Sequence, residues 1–325
     1  MVNAAAPFPP ARRETRRGYA LLLSGALLFG LTGPVGKVIL DAGVEPARLT
    51  ALRCTGAAIG LTVVLAARNR RRLRVARRDI PALIVVGLCG AALIQWFYFI
   101  AVDRVPIGIA LLLEFTAPVL VALYTRVVRR ESLPTRVWFG LAVALVGLGL
   151  VAQVRGGGLD PIGVLAGFGA AACLATFYLV GKHSLSRVHP VAVTWWMFVV
   201  ASVFWALVQP WWNFDAGVLD DRVSLLGHLS DVIVPLWAPL LWLVVMGTLM
   251  PYGLTIAALS RLSPTTTGIV GMTEPVVAAT VAWAWLAQAL TAWQLAGGVL
   301  VLIAVAVVQA ATTDAGASPA SSPPP

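Results

Sequence analysis

Charged side chains are scarce in this chain: they make up 12% of its 325 residues, while 59% are apolar. A soluble domain needs about a quarter of its residues charged to cover its surface, so a fully water-facing surface is excluded. Histidine and cysteine are scarcer still, at three each. His183, His189 and His228 fall in expected loops without metal-ligand spacing. Cys54, Cys89 and Cys173 stand singly inside apolar segments, with no CxxC pair. Neither a disulfide framework nor a metal site is expected, and the thiols read as small buried hydrophobes. GxSxG, HExxH and any His/Asp cluster are missing too, which argues against a membrane-embedded enzyme. Gly36-Lys37-Val38 and Gly181-Lys182-His183 lack the leading glycine and the Ser/Thr of a P-loop. No cofactor is implied, and any work must draw on a gradient.

What the chain does have is long apolar runs of about twenty residues without period-two alternation, as helices crossing a ~30 Å hydrocarbon layer require. In lipid every backbone polar group must be satisfied internally, which leaves helices as the solution here. Breaking the chain at charges, prolines and glycine clusters gives ten spans: 18–40, 47–67, 81–102, 106–125, 134–152, 160–181, 190–210, 237–259, 263–286 and 291–310. The basic segment 1–17 precedes them. The run from Gly18 to Leu40 is too long for a signal peptide and reads as an uncleaved first helix. The Ser-, Ala- and Pro-rich tail 311–325 cannot build a core and is expected to be disordered. Gly56 with Gly60, and Gly163 with Gly167, each place two glycines on one helix face and predict close helix contacts.

The formal charge of +10 does not indicate nucleic acid, because the arginines sit in short clusters between apolar runs and no binding motif accompanies them. They indicate orientation instead. With the N-terminus inside, the inner segments hold eighteen Lys and Arg residues and the outer ones four, Arg48, Arg104, Arg155 and Arg222. An even span count then puts both termini in the cytoplasm, in the inner (plasma) membrane. The long segment 211–236, with Asp215, Asp220, Asp221 and Asp231, falls outside.

Ala101–Val151 can be laid on Ala258–Val308 without a gap. Arg104 meets Arg261, Thr116 meets Thr273, Pro118-Val119 meets Pro275-Val276, and Gly140 meets Gly297. A weaker echo joins Val35-Gly36-Lys37 to Val180-Gly181-Lys182. The chain therefore reads as an all-α polytopic membrane protein with two five-helix repeats, 18–152 and 160–310. Because five is odd, the copies enter the membrane in opposite directions. Inverted repeats are an architectural basis for alternating access to a midplane site.

The run Ala101 to Pro118, with Leu113-Glu114-Phe115-Thr116-Ala117-Pro118, resembles the third-to-fourth span signature of the EamA family, within the drug/metabolite transporter superfamily. Met250-Pro251-Tyr252-Gly253 and Gly271-Met272-Thr273-Glu274-Pro275 are its second-half partner. Both strings are nearest in look to the threonine/homoserine exporter branch. The resemblance covers residues 18 to 310 and implies a central cavity walled by both halves. It also implies secondary transport, often export, of amino acids or other small metabolites. One departure concerns a glutamate often found near the end of each half: Glu131 is present, but Gln288 stands in the second copy.

An ionisable residue at the centre of a span costs roughly 2.5–3.5 kcal/mol on insertion scales, so each calls for an explanation. Lys37 lies a turn from a helix end, where snorkelling explains it as well as function does. Arg53 lies deeper, and either a pair with Asp41 or Glu45 or a bond to a substrate carboxylate would account for it. Glu114 and Glu274 lie near mid-membrane, three positions apart in the repeat frame and on nearly the same helix face. Pro118 and Pro275 follow them, and proline frees carbonyls or kinks a helix. Two buried carboxylates suit a cationic substrate group or a proton; the alternative is that each bonds neighbouring helices and holds the fold. Thr116 and Thr273 belong to the same strings. Gln95, Tyr98 and Tyr252, with Trp96, Tyr178, Trp195 and Trp196, are cavity candidates that could equally be membrane-interface aromatics.

The function expected is secondary-active export or exchange of a small amino-acid-like or organic metabolite, with lipid and solute as its partners and protons as the candidate coupling ion. Two readings compete. An importer of phosphorylated or nucleotide-linked metabolites would want several cavity cations, and only Lys37, Arg53 and Lys182 are available. A channel would tolerate the duplication but would not need two carboxylate-proline helices.

Overall fold

The computed structural model describes residues 12–68, 75–105, 107–152, 160–210, 215–286 and 291–315. Arg70, Arg71, Arg72, Arg74, Arg155, Trp211, Trp212, Gln288 and the tail beyond 315 lie outside the described residues, as do residues 1–11.

Ten helical spans follow the expected order. The first two are α1 (Arg12–Asp41) and α2 (Pro46–Arg68). The third is α3 (Ile80–Gly87), a π-helical turn at Leu88–Leu93, then α4 (Ile94–Arg104). The fourth is broken into α5 (Ile107–Glu114) and α6 (Ala117–Val127), and the fifth is α7 (Thr135–Ala152). The second half supplies α8 (Pro161–Leu185) and α9 (Pro190–Val208) as spans six and seven. Span eight is α10 (Trp237–Val244), a π-helical turn at Val245–Leu249, then α11 (Met250–Leu259). Span nine is broken into α12 (Pro264–Gly271) and α13 (Thr273–Leu286), and α14 (Ala292–Ala315) is the tenth. Among the described residues seven stretches are long and apolar enough to cross a membrane on length and composition alone. The chain is an all-α polytopic membrane protein.

The helix starts are written in the sequence. Asp160-Pro161, His189-Pro190 and Ser263-Pro264 each put a capping side chain before a proline, whose missing N–H costs nothing in a first turn. Asp160 Oδ1 accepts from the Gly163 N–H at 2.9 Å and Ser263 Oγ from the Thr266 N–H at 3.1 Å. Two ends differ from expectation. Helix α1 begins at Arg12, because the basic stretch before Gly18 continues the apolar helix, and α14 runs on past 310 to Ala315. The long acidic loop holds a short antiparallel pair, β1 (Arg222–Ser224) on β2 (Ile233–Pro235). Trp285 Nε1 donates to the Leu225 carbonyl at 3.0 Å and ties this loop to α13.

The repeat is sharper in structure than in sequence. At the offset that lays Ala101 on Ala258, α3 falls on α10, the first π turn on the second, α5 on α12 and α7 on the start of α14. The contacts repeat as well. Gly163 at the start of α8 packs on Arg104 and Val105, and Gly18 in α1 packs on their equivalents Arg261 and Leu262. Arg104 pairs with Asp160 at 3.6 Å, and Arg261 with Glu14 at 3.0 Å. Each half's first helix thus docks on the end of the other half's span: α8 on α4 and α1 on α11.

Glycines set the closest approaches. An added Cβ at Gly56 would meet Val244 at 2.8 Å, and one at Gly167 would meet Leu113 at 2.7 Å. Helices α7 and α14 press together at Gly147, where a Cβ would stand 2.7 Å from the Gly297 carbonyl oxygen. Backbone cannot rotate away as a side chain can. Gly147→Val is therefore expected to cost about 2 kcal/mol, read as a lower melting temperature of the purified protein in detergent.

Candidate functional site

Spans four and nine break at mid-length, and the breaks carry the two carboxylates. After α5 the chain makes a tight turn at Phe115–Thr116, where the Thr116 N–H reaches only the Leu113 carbonyl, at 3.1 Å. Pro118 then sits in the first turn of α6, without an N–H to continue the ladder. In span nine the break falls at Met272, and Pro275 lies in the first turn of α13. Thr116 Oγ1 donates to the Leu113 carbonyl at 2.7 Å, and its equivalent Thr273 Oγ1 donates to Val270 at 2.8 Å. Both hydroxyls are spent on their own breaks. They stabilise the turns and do not line the cavity.

Glu114 is the last residue of α5 and Glu274 lies in the first turn of α13. Both face one chamber with Gln95 and Phe29. The expectation that they share a helix face assumed unbroken helices. The chain instead turns between the repeat positions of the two, and both reach the chamber because it lies at the breaks. Neither carboxylate has a hydrogen-bond or ion-pair partner among the described residues. Their oxygens are not sealed in the core, since the buried unpaired polar atoms found are only Ser184 Oγ and Trp205 Nε1.

The chamber lies between the halves. On the side of the chain's N-terminus it is lined by Leu22, Ala26, Leu174, Phe177, Tyr178, Thr255 and Gly271. Towards the opposite side it continues past Thr32, Gly33 and Tyr98. Its first part measures about 70 Å³, where a single water needs roughly 10–15 Å³. On the N-terminal side, an added Cβ at Gly268 would meet Pro118 Cγ at 2.9 Å and Tyr178 Cε2 at 3.4 Å, so α12, α6 and α8 pack closely there. A Cβ at Gly33 would meet nothing within 4 Å.

Behind the chamber wall lies Arg53, only 1% exposed. It has no carboxylate partner: Asp41 pairs with Lys37 at 3.9 Å. Arg53 Nε donates to Thr248 Oγ1 at 2.9 Å, Nη1 to Gln95 Oε1 at 2.9 Å and Nη2 to the Gly247 carbonyl at 3.0 Å. The Phe99 ring lies 5.8 Å from its guanidinium carbon. Sequence chemistry explains the Gly247 acceptor. The residue four on is Pro251, which has no N–H to offer, so that carbonyl is left open. The π turn also leaves the Leu243 carbonyl to be taken by Thr248 Oγ1 at 2.8 Å.

Arginine is donor-only, so Gln95 must turn its oxygen to Arg53 and its amide nitrogen away. That nitrogen donates to the Tyr252 hydroxyl at 2.8 Å. The hydroxyl hydrogen of Tyr252 is thereby free to donate into the chamber. Gln95 and Tyr252 are themselves equivalent at the repeat offset, so this bond crosses the pseudo-two-fold axis between the halves. Phe29 and Phe198 pack edge-on against the Tyr252 ring at 5.1 and 5.3 Å between centroids.

Of the sequence candidates, the structure brings together Glu114, Glu274, Gln95, Tyr98 and Tyr252, with Arg53 directly behind. It leaves Lys37 outside the chamber, 46% exposed at its helix end. Trp195 Nε1 donates to Thr62 Oγ1 at 2.9 Å on the exposed face of α9. Sequence reading did not single out Phe29, Phe177, Thr255 or Gly271. No local signal marks them, because apolar and small residues fill every span.

Comparison with known proteins agrees with this architecture. The profile of the EamA-like transporter family matches residues 16–153 and, again, 161–309. The threonine/homoserine exporter RhtA of Salmonella typhimurium is 31% identical over 247 residues, 76% of each chain. The Escherichia coli K12 protein of the same name is 30% identical over the same shares. The pseudopaline exporter CntI of Pseudomonas aeruginosa is 24% identical over 76% of this chain and 81% of its own. A solved structure described only as "Crystal structure of protein" superposes with a TM-score of 0.72 at 19% identity, covering 92% of this chain and 98% of that one.

Proposed function

We propose, from the premise that this chain belongs to the EamA-like transporter family, that it exports a small amino-acid-like metabolite by alternating access. That it is a multi-pass membrane transporter follows from the family and from its spans. The finer reading rests on one observation: two carboxylates without protein partners, at the ends of broken helices, face a chamber shared by both halves. Such groups are costly in a membrane unless something passing through uses them. A substrate ammonium suits Glu114 and Glu274, which line the same chamber. The free hydroxyl hydrogen of Tyr252 suits a substrate carboxylate, with Arg53 reinforcing it through Gln95. Protons could occupy the same carboxylates in turn, which would couple export to a proton gradient. Both termini are cytoplasmic in this reading, as the arginine distribution asks.

A relative named as a threonine/homoserine exporter supports the direction and the class, and one named as a pseudopaline exporter supports the direction. The phosphorylated-metabolite alternative gains nothing, since Lys37 and Lys182 stay away from the chamber and Arg53 is covered. The test is a growth-inhibition screen against toxic amino-acid analogues, with and without overexpression, paired with counterflow in liposomes. The expected result is protection against at least one analogue and saturable counterflow of the same compound. Linear, non-saturating flux would make the protein a channel and overturn the reading.

A further inference from the structure

The two halves carry the same lysine near the end of their first helix, Lys37 on α1 and Lys182 on α8, but they are engaged differently. Lys182 Nζ donates to three main-chain carbonyls at the end of α11: Leu259 at 2.9 Å, Ser260 at 3.3 Å and Leu262 at 2.8 Å. A lysine at a helix C-terminus is a common cap. Its repeat mate is what makes this one informative. The equivalent carbonyls, at the end of α4, belong to Val102, Asp103 and Val105. Lys37 does not reach them; among the described residues it contacts only Asp41, at 3.9 Å.

The helix approach differs in the same sense. An added Cβ at Gly181 would meet Leu259 at 3.2 Å, whereas one at the equivalent Gly36 would meet, among the described side chains, the Phe99 ring at 3.7 Å. The opposite ends of these helices are alike, with Gly18 and Gly163 each 2.9 Å from their equivalent neighbours. So the same sequence docks equally at one end and unequally at the other. On the N-terminal side the end of α11 is held from both halves. On the far side the end of α4 is held, among the described residues, by α8 through Gly163, and Gly33, one turn back from Lys37, faces open space.

We infer that Lys37 and Lys182 are alternating clamps. Lys182 holds the N-terminal side closed in this state, and Lys37 takes the carbonyls of 102, 103 and 105 when Lys182 lets go. An ammonium suits such a part because it is a compact charge with three rotatable donors and needs no fixed planar partner. The inference rests on the alternating-access reading above and adds which contacts define its two end states.

Hydrogen exchange of the full-length protein in nanodiscs tests it, with counterflow measured on the same preparations. Lys182→Gln is expected to raise exchange across 257–263 and to lower it across 33–41, each by about threefold or more. Lys37→Gln should do the reverse, protecting 257–263 further and slowing counterflow. Lys182→Arg, which keeps the charge but cannot place a planar fork on three carbonyls, should move both segments in the direction of Lys182→Gln and serves if the glutamine variant does not fold. A rise confined to 257–263 in the lysine-182 variants, with counterflow intact, would reduce Lys182 to a helix cap and sink the clamp alone. Absence of counterflow in the unmodified protein would remove the alternating-access reading and the clamp with it.

Discussion

Glu274→Gln is expected to reduce export by between about tenfold and a hundredfold, with expression and melting temperature near those of the parent. The size follows from the chemistry. A hydrogen bond to a charged group contributes about 1.5–3 kcal/mol, and each 1.4 kcal/mol is a factor of ten. Glutamine keeps the shape of the side chain and removes only its charge. Because the carboxylate has no hydrogen-bond or ion-pair partner among the described residues, the fold loses little. Glu114→Gln should behave alike, and the double variant should fall short of the product of the two, since groups serving one bound charge are not additive. Thr273→Val, one residue away, should leave export within about twofold, because its hydroxyl serves the helix break and its loss costs about 1 kcal/mol of stability at most. Initial rates of export of a protected analogue, normalised to protein in the membrane, decide this. Equal losses in Thr273→Val and Glu274→Gln would mean that the break itself matters and the charge does not.

Arg53→Met is expected to cost about 2–3 kcal/mol of stability and to change cargo affinity as well. Two effects oppose. Removing a buried guanidinium recovers its desolvation penalty, which can make an apolar replacement neutral or better. Here, however, the arginine has no charged partner that leaves with it, and three acceptors remain. Thr248 and Gln95 can rotate to other partners, but the Gly247 carbonyl cannot and keeps only a long bond from Thr32 Oγ1, at 3.4 Å; a buried acceptor left poorly satisfied costs about 1–3 kcal/mol. The loss of three charge-assisted bonds therefore wins. Arg53→Lys should recover part of the stability, because an ammonium can meet one or two of the three acceptors. Thermal unfolding in detergent reads the first effect. The second appears as a higher KM for export in Arg53→Lys, as Gln95 is freed to turn away from Tyr252.

The spans and their order were legible because membrane helices are fixed by run length, which survives almost any side-chain detail. The repeat was legible at its punctuation, Arg104 with Arg261 and Pro118 with Pro275, since these residues act through the backbone. The π turns were not legible: Leu88–Leu93 and Val245–Leu249 contain nothing that an ordinary helix would refuse. The breaks were half legible, as the prolines announced disturbed helices but placed it after each glutamate without saying that the chain would turn there. Of the two readings of Arg53, the pair with Asp41 or Glu45 is not what the structure holds, for a physical reason. That reading sought a carboxylate nearby, whereas two of its three partners, Thr248 and Gly247, come from a span almost two hundred positions away, where Pro251 offers no N–H to the Gly247 carbonyl. Tyr178 was ambiguous because an aromatic in a span serves lipid interfaces as readily as cavities.

The paired π turns bear on what each half can do alone. A π turn holds one residue more than the α-helix it interrupts, and both halves carry it at the same place. Were the halves identical, the residue at the positions of Gln95 and Tyr252 would have to bond its own copy. Only a side chain that both donates and accepts can do that, as glutamine and tyrosine each can. Because the halves differ in sequence, the two positions need not match. One could then turn to a buried arginine while the other kept its hydrogen for the chamber, a division of labour closed to a symmetric dimer.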